Sequence, residues 1–317
     1  MKPSLSIIFF TVSSGAGLGL LALTCLADLC PVELLPKTAL AAGIFLGLAL
    51  IVAGLAASVL HLAKPSNAWR ALSRFRSSWL SREAVFAAAL VPIASIYGWV
   101  ALAGSAEAPR PFLAAAVCLL AWTVLICTAM IYASLKPIRQ WHTRWTPLNY
   151  FLLGHWSGAL FLLLLASAYA GDASDFAWLA LGMGIAALFT KLGYWHSIAD
   201  DSSASTIERA IGVREGARPP GMTVARARLF DAGHGHRTFL TDEFGFALAR
   251  RHALALRIAA VALGFVFPGA WIISGTTDWR VGLCAALLCM MGLLTERWLF
   301  FAEARHTVRL YHGDAKA

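Results

Sequence analysis

The chain has 317 residues, 59% of them hydrophobic and only 14% charged, with a formal net charge of +9. A soluble domain carries roughly a quarter charged residues, so this composition, with a mean hydropathy of +0.69, excludes an ordinary water-soluble fold. The excess of basic residues would suit nucleic acid, but its distribution along the chain gives it another meaning.

A helix needs about 20 apolar residues to cross a bilayer. Such segments recur at 4–27, 38–62, 84–103, 111–135, 148–170, 175–197, 253–274 and 279–301. The predicted fold is all-α and membrane-integral: a single domain over 1–317, built as a bundle of eight transmembrane helices. The first segment, "SIIFFTVSSGAGLGLLALTCLA", is longer than a signal-peptide core and dotted with glycine, so it is read as helix one and not as a cleaved leader. Its Gly15 and Gly19 are spaced for close helix contact, and without a preceding strand "GAGLGL" is no dinucleotide loop. Pro92 and Pro268 fall inside spans, where kinks are common.

Eight alternating helices put both termini on one face, with the loops after helices two, four and six. That face receives Lys2, Lys64, Arg70, Arg74, Arg76, Arg82, Lys136, Arg139, Arg144, Lys191 and every later basic residue except Arg280. The opposite face keeps Lys37, Arg110 and Arg280 against Asp28, Glu33, Glu107, Asp172, Asp175 and Asp278. This is the positive-inside pattern. Both termini are predicted to be cytoplasmic, and the basic charge is a topology signal that calls for no nucleic-acid partner.

The six cysteines form no C-x-x-C pair and no zinc or iron–sulfur spacing. Cys25 and Cys30 flank the first outward loop and are candidates for a disulfide; the other four are read as packing residues. Residues 198–252 form one long polar loop on the cytoplasmic side, either a surface linker or part of a docking surface. Within it Thr241 is placed to cap a short helix leading into helix seven. There is no G-x-S-x-G and no H-E-x-x-H, and nothing reads as the site of a soluble enzyme.

Ionisable groups inside spans are functional candidates by default. His61 ends helix two, Glu83 opens helix three, and His155 lies about two turns into helix five. Lys191, His196, Arg257, Glu296 and Arg297 gather at the same depth on helices six to eight. Lys191, Arg257 and Arg297 are expected to snorkel to the interface. The convergence nonetheless suggests a polar cavity at the cytoplasmic half, suited to a molecule with an apolar tail and a polar head. A quinone fits: its carbonyls need hydrogen-bond partners, and a His with a carboxylate can exchange its protons. Trp69, Trp79 and Trp156 either line such a pocket or belong to an interfacial belt.

The run "SVLHLAKPSNAWRALSRFRSSWLSREAVFA", supported by "WTPLNYFLLGHWSGALFLL" and "ERWLFFAEARHTVRLY", resembles the anchor-subunit family of dimethyl sulfoxide reductase (DmsC), across essentially all eight helices. The resemblance implies a membrane protein that binds ubiquinone or menaquinone and anchors two partners. These are an iron–sulfur subunit with 4Fe-4S clusters and a catalytic subunit with molybdopterin. His61 and Glu83 match the family's quinone-site His and Glu, and Trp79, Arg82 and His155 are candidates to complete that site. Lys64, Trp69, Arg70, Arg74 and Arg76 form the candidate docking surface for the iron–sulfur subunit. No haem, metal or iron–sulfur cluster is expected in this chain, although His61, His155 and His196 leave an axial haem pair open.

The motif face is also the basic face, which puts the catalytic partners on the cytoplasmic side of a bacterial inner membrane. The loop sequences "TIERAIG" and "ARARLFDAGHGHRTFLTDEFGFALARRHA" are similar to the anchor (SoeC) of the cytoplasmic sulfite-oxidising molybdoenzyme. That branch implies sulfite oxidation with quinone reduction. The alternatives are a menaquinol-oxidising anchor of an S- or N-oxide reductase, a secondary transporter, and a purely structural anchor.

Overall fold

The computed structural model describes residues 4–60, 62, 64–104, 109–169, 173–199, 206, 248–275 and 278–312. Apart from isolated bridges, regular structure among them is helical, and eight helices are long and apolar enough to cross a membrane. They are α1 (Leu5–Leu29), α2 (Lys37–Leu60), α3 (Trp79–Ala103), α4 (Arg110–Ala133), α5 (Trp145–Tyr169), α6 (Ser174–Ala199), α7 and α8 (Trp279–Ala302). The seventh runs from Leu248–Val261 through a π-helical turn, Ala262–Val266, into Phe267–Ile273. Of the long loop, 200–205 and 207–247 lie outside the described residues, and Thr241 with them.

The helices differ in how much of themselves they bury. In α1, 89% of the most apolar stretch is buried and in α5 72%, against 50% or less elsewhere, so these two form the axis of the bundle. Small residues bring them together: an added Cβ on Gly19 would lie 2.0 Å from the Gly154 carbonyl oxygen, and one on Gly158 would lie 2.3 Å from the Leu20 nitrogen. Backbone-to-backbone packing of this kind stands in for hydrophobic segregation, which lipid does not provide. The rim helices turn large apolar side chains outward, including Phe112, Trp178, Phe189 and Leu254.

Helix three begins at Trp79, five residues before the predicted 84. Ser78 caps it by accepting the Ser81 N–H, so the polar run Trp79–Glu83 is the first helical turn and not loop. Pro92 is accommodated within α3 without breaking it. Pro268 has a larger effect. It offers no N–H to the Gly264 carbonyl, the helix widens into its π turn just there, and Trp156 Nε1 of α5 donates to that carbonyl at 2.9 Å. Trp156 also stacks on Phe265, so it is a packing residue between α5 and α7 and no quinone contact. Cys25 and Cys30 are unbridged.

A charged clasp closes the end of the bundle opposite the basic loops. Asp28 accepts from Tyr97 Oη (2.7 Å), from Arg110 Nε (3.0 Å) and from Arg110 Nη2, joining α1, α3 and α4. Its side chain is buried, so these bonds are charge-assisted and shielded. Asp28→Asn is expected to cost about 1.5–3 kcal/mol, read as a lowered Tm in detergent with quinone chemistry at the other end unaffected.

Candidate functional site

The segment after α2 is a run of 3₁₀ helix, Pro65–Arg74, with none of its residues buried. Such runs rarely exceed three or four residues, and this one is tied down at its far end. Ser81 Oγ accepts the Arg74 N–H at 3.1 Å. Arg82 donates to the carbonyls of Phe75 (3.1 Å) and Arg76 (2.8 Å) while its guanidinium lies 4.3 Å from the Trp79 ring centre. Lys64, Trp69, Arg70, Arg74 and Arg76 are all exposed on this strip, and Arg70 lies over Trp69. Arg82 and Trp79 therefore hold the strip against the first turn of α3. His61 lies outside the described residues.

One residue beyond Arg82 the helix turns inward. Glu83 is 3% exposed and accepts a hydrogen bond from Thr128 Oγ1 of α4. Thr128 also donates to its own helix, at Val124 O. A carboxyl so deeply enclosed, with a hydroxyl as its one bonded side-chain partner among the described residues, is costly unless it is used.

His155 occupies a separate place. Its Nδ1 bonds the Phe151 carbonyl at 2.8 Å, which makes Nε2 the acceptor for Trp122 Nε1 at 3.0 Å. Both ring nitrogens are engaged, and Trp122 precedes Thr128 by about 9 Å along α4. The structure thus brings Trp79, Arg82 and Glu83 together and leaves His155 deeper in the bundle. His196 is exposed, on a crevice of about 550 Å³ between α6 and α7 that is also lined by Leu192, Trp195, Leu254 and Arg257.

Lys191 and Arg297 do not snorkel. Lys191 is 1% exposed and pairs with Glu296, whose other oxygen is 3.2 Å from Arg297 Nε. Arg297 lies 3.9 Å from the Tyr150 ring centre, and Lys191 is 4.2 Å from that of Tyr194. Arg257, by contrast, is partly exposed and reaches Glu303 at 2.6 Å. The expected convergence is real for these charges, yet aromatic rings fill the space among them. Sequence does not reveal the pairing, because position near a helix end does not say which face a side chain occupies. A signal for Thr128 is present: a hydroxyl one turn before Tyr132 in an otherwise apolar run is a polar stripe facing the bundle. Among the described residues no group of three or more His, Cys, Asp or Glu side chains converges as a metal site.

Known proteins match this chain along nearly its full length. The family model described as "DMSO reductase anchor subunit (DmsC)" matches residues 1–302. The membrane-anchor counterpart in Allochromatium vinosum, a sulfite dehydrogenase subunit, is 33% identical over 98% of this chain and 99% of its own length.

Proposed function

The chain belongs to the DMSO reductase anchor subunit (DmsC) family, and from that premise we propose that it is the quinone-binding membrane anchor of a molybdoenzyme that oxidises sulfite and reduces quinone. Multi-pass membrane anchoring follows from the family and the eight apolar helices. The likeness to a sulfite dehydrogenase subunit supports the sulfite branch. The observation that carries the quinone reading is Glu83, a carboxyl buried one turn below a basic strip that its own helix holds in place.

The residues present suit a quinone head group. Its carbonyl oxygens accept hydrogen bonds, and hydroxyl and carboxyl groups stand together at Thr128 and Glu83. A bound quinone supplies two-electron, two-proton chemistry at that point. The chain's own part is to exchange protons through Glu83, to keep its charge from water, and to fix the docking strip directly above it. Lys64, Arg70, Arg74 and Arg76 present a cationic face suited to an acidic patch on an iron–sulfur subunit. The basic loops put that subunit on the cytoplasmic side of a bacterial inner membrane.

The test is purification of the tagged chain from its native host in mild detergent, with mass spectrometry of what accompanies it and an assay of sulfite-dependent quinone reduction. A molybdopterin subunit and a four-cluster ferredoxin-like subunit are expected, released by high salt as screened charges let go. A pair acting on an S-oxide would reverse the electron flow and leave the anchor role standing. A chain that purifies alone would overturn it in favour of a transporter.

A further inference from the structure

We propose that the buried charges of α6 and α8 form a proton route across the bundle, from the Arg257–Glu303 pair to Glu83. The inference rests on the quinone reading of Glu83. Electrons then arrive from the docked subunit on one side, and protons from the other.

Docking itself creates the need. A subunit seated on the strip at 64–76 covers the near side of Glu83, which the first turn of α3 already encloses. The open alternative leads away from the strip. Thr128, which bonds Glu83, is one turn from Tyr132 on α4, and the carboxyl is within electrostatic reach of both Tyr132 and Tyr150. The rings of Tyr132 and Tyr150 are stacked, with centres 5.6 Å apart. Arg297 covers Tyr150 and contacts Glu296, and Glu296 holds Lys191. Lys191 and Arg257 then flank one ring, that of Trp195, at 5.1 and 5.4 Å. Arg257 pairs with Glu303, and these two side chains are 28% and 9% exposed, against 1–5% for the three inner charges. The line therefore runs from a partly open end to a closed one.

Two features separate a route from a mere staple. Lys191 and Arg297 carry two positive charges against one on Glu296, a buried surplus of one cation that pairing does not require and that burial penalises. That surplus balances an ionised Glu83, so loss of its proton leaves the buried set neutral. The second feature is a pair of hydroxyls, on Tyr150 and Tyr194, that are buried without a hydrogen-bond partner among the described residues. Such groups are rare and call for a reason; a hydroxyl in transit between proton donor and acceptor supplies one. A proton taken up at Glu303 passes by way of Lys191 and Glu296 to the Tyr150 and Tyr132 hydroxyls and on to the Glu83 carboxylate. Arg297 stays charged throughout. Each two-electron reduction draws two protons along this line.

Tyr150→Phe in the assembled complex is the discriminating variant, with Glu303→Gln as its counterpart at the open end. Removing an unpaired hydroxyl forfeits no hydrogen bond, so Tm and the complement of subunits are expected to hold in Tyr150→Phe. Sulfite reduction of the iron–sulfur clusters should be unchanged in both. Quinone-linked turnover should fall about tenfold in each, with a larger solvent isotope effect and an optimum shifted to acid, because supply of protons becomes limiting. Independently of turnover, the protonated Glu83 carboxyl, followed by its infrared band after transfer to heavy water, should exchange about tenfold more slowly. Unchanged exchange and turnover in both variants, beside an inactive Glu83→Gln, would leave the charges a structural staple and overturn the route alone. A fully active Glu83→Gln would instead bring down the quinone reading on which it rests.

Discussion

Glu83→Gln is expected to lower quinone-linked turnover at least about 100-fold in a complex that still assembles. Glutamine has the size of glutamate, and its side-chain oxygen still accepts the Thr128 hydrogen bond. What it loses is the capacity to take and release a proton. The fold should tolerate the change, because a buried charge is exchanged for a neutral group of the same shape. The loss should be confined to the membrane step: reduction of a water-soluble dye by sulfite draws electrons from the soluble subunits and should continue at its normal rate. Equal loss with dye and quinone would mean a damaged complex, and no loss with quinone would remove Glu83 from the chemistry.

The largest expected effect on stability is at Gly19. Gly19→Ala would put a methyl group 2.0 Å from the Gly154 carbonyl oxygen, where no side chain can give way because the obstacle is backbone. The two axial helices must then separate, and every layer they share loses contact. A cost at the upper end of small-to-large changes, about 3 kcal/mol or more, is expected, seen as a large fall in Tm and in membrane yield. Gly15→Ala is the control. Nothing lies within 4 Å of its added Cβ, and alanine favours a helix over glycine, so stability should hold or rise. Similar behaviour of the two variants would contradict the close crossing of α1 and α5.

Much of this architecture is legible in the chain because lipid imposes a simple rule: about 20 apolar residues per crossing. Eight segments meet it, and eight helices form. Boundaries are less legible where polar residues are helical. Trp79, Arg82 and Glu83 read as the end of a loop, and only the Ser78 cap and the bonds from Arg82 back to the strip reveal a first helical turn. The site is legible in part for a similar reason. Glu83 stands out as a carboxylate beside an apolar run, but its partner Thr128 lies 45 residues on. Lys191 and Glu296 are 105 residues apart, and their union depends on how α6 and α8 face each other, which no local pattern encodes. His155 is a reasonable candidate from its depth alone; its engagement by Trp122 and Phe151 is a tertiary fact.

Trp156 and Pro268 belong to different helices yet act as one inherited unit. The proline withholds a donor from the Gly264 carbonyl, and the indole, 108 residues earlier than that carbonyl, supplies one. Neither is neutral alone. Without the indole the carbonyl loses its donor inside the membrane, where water cannot substitute; without the proline a main-chain N–H competes for the place the indole holds. Their effects are therefore non-additive, and a lineage that changes one is constrained to revisit the other.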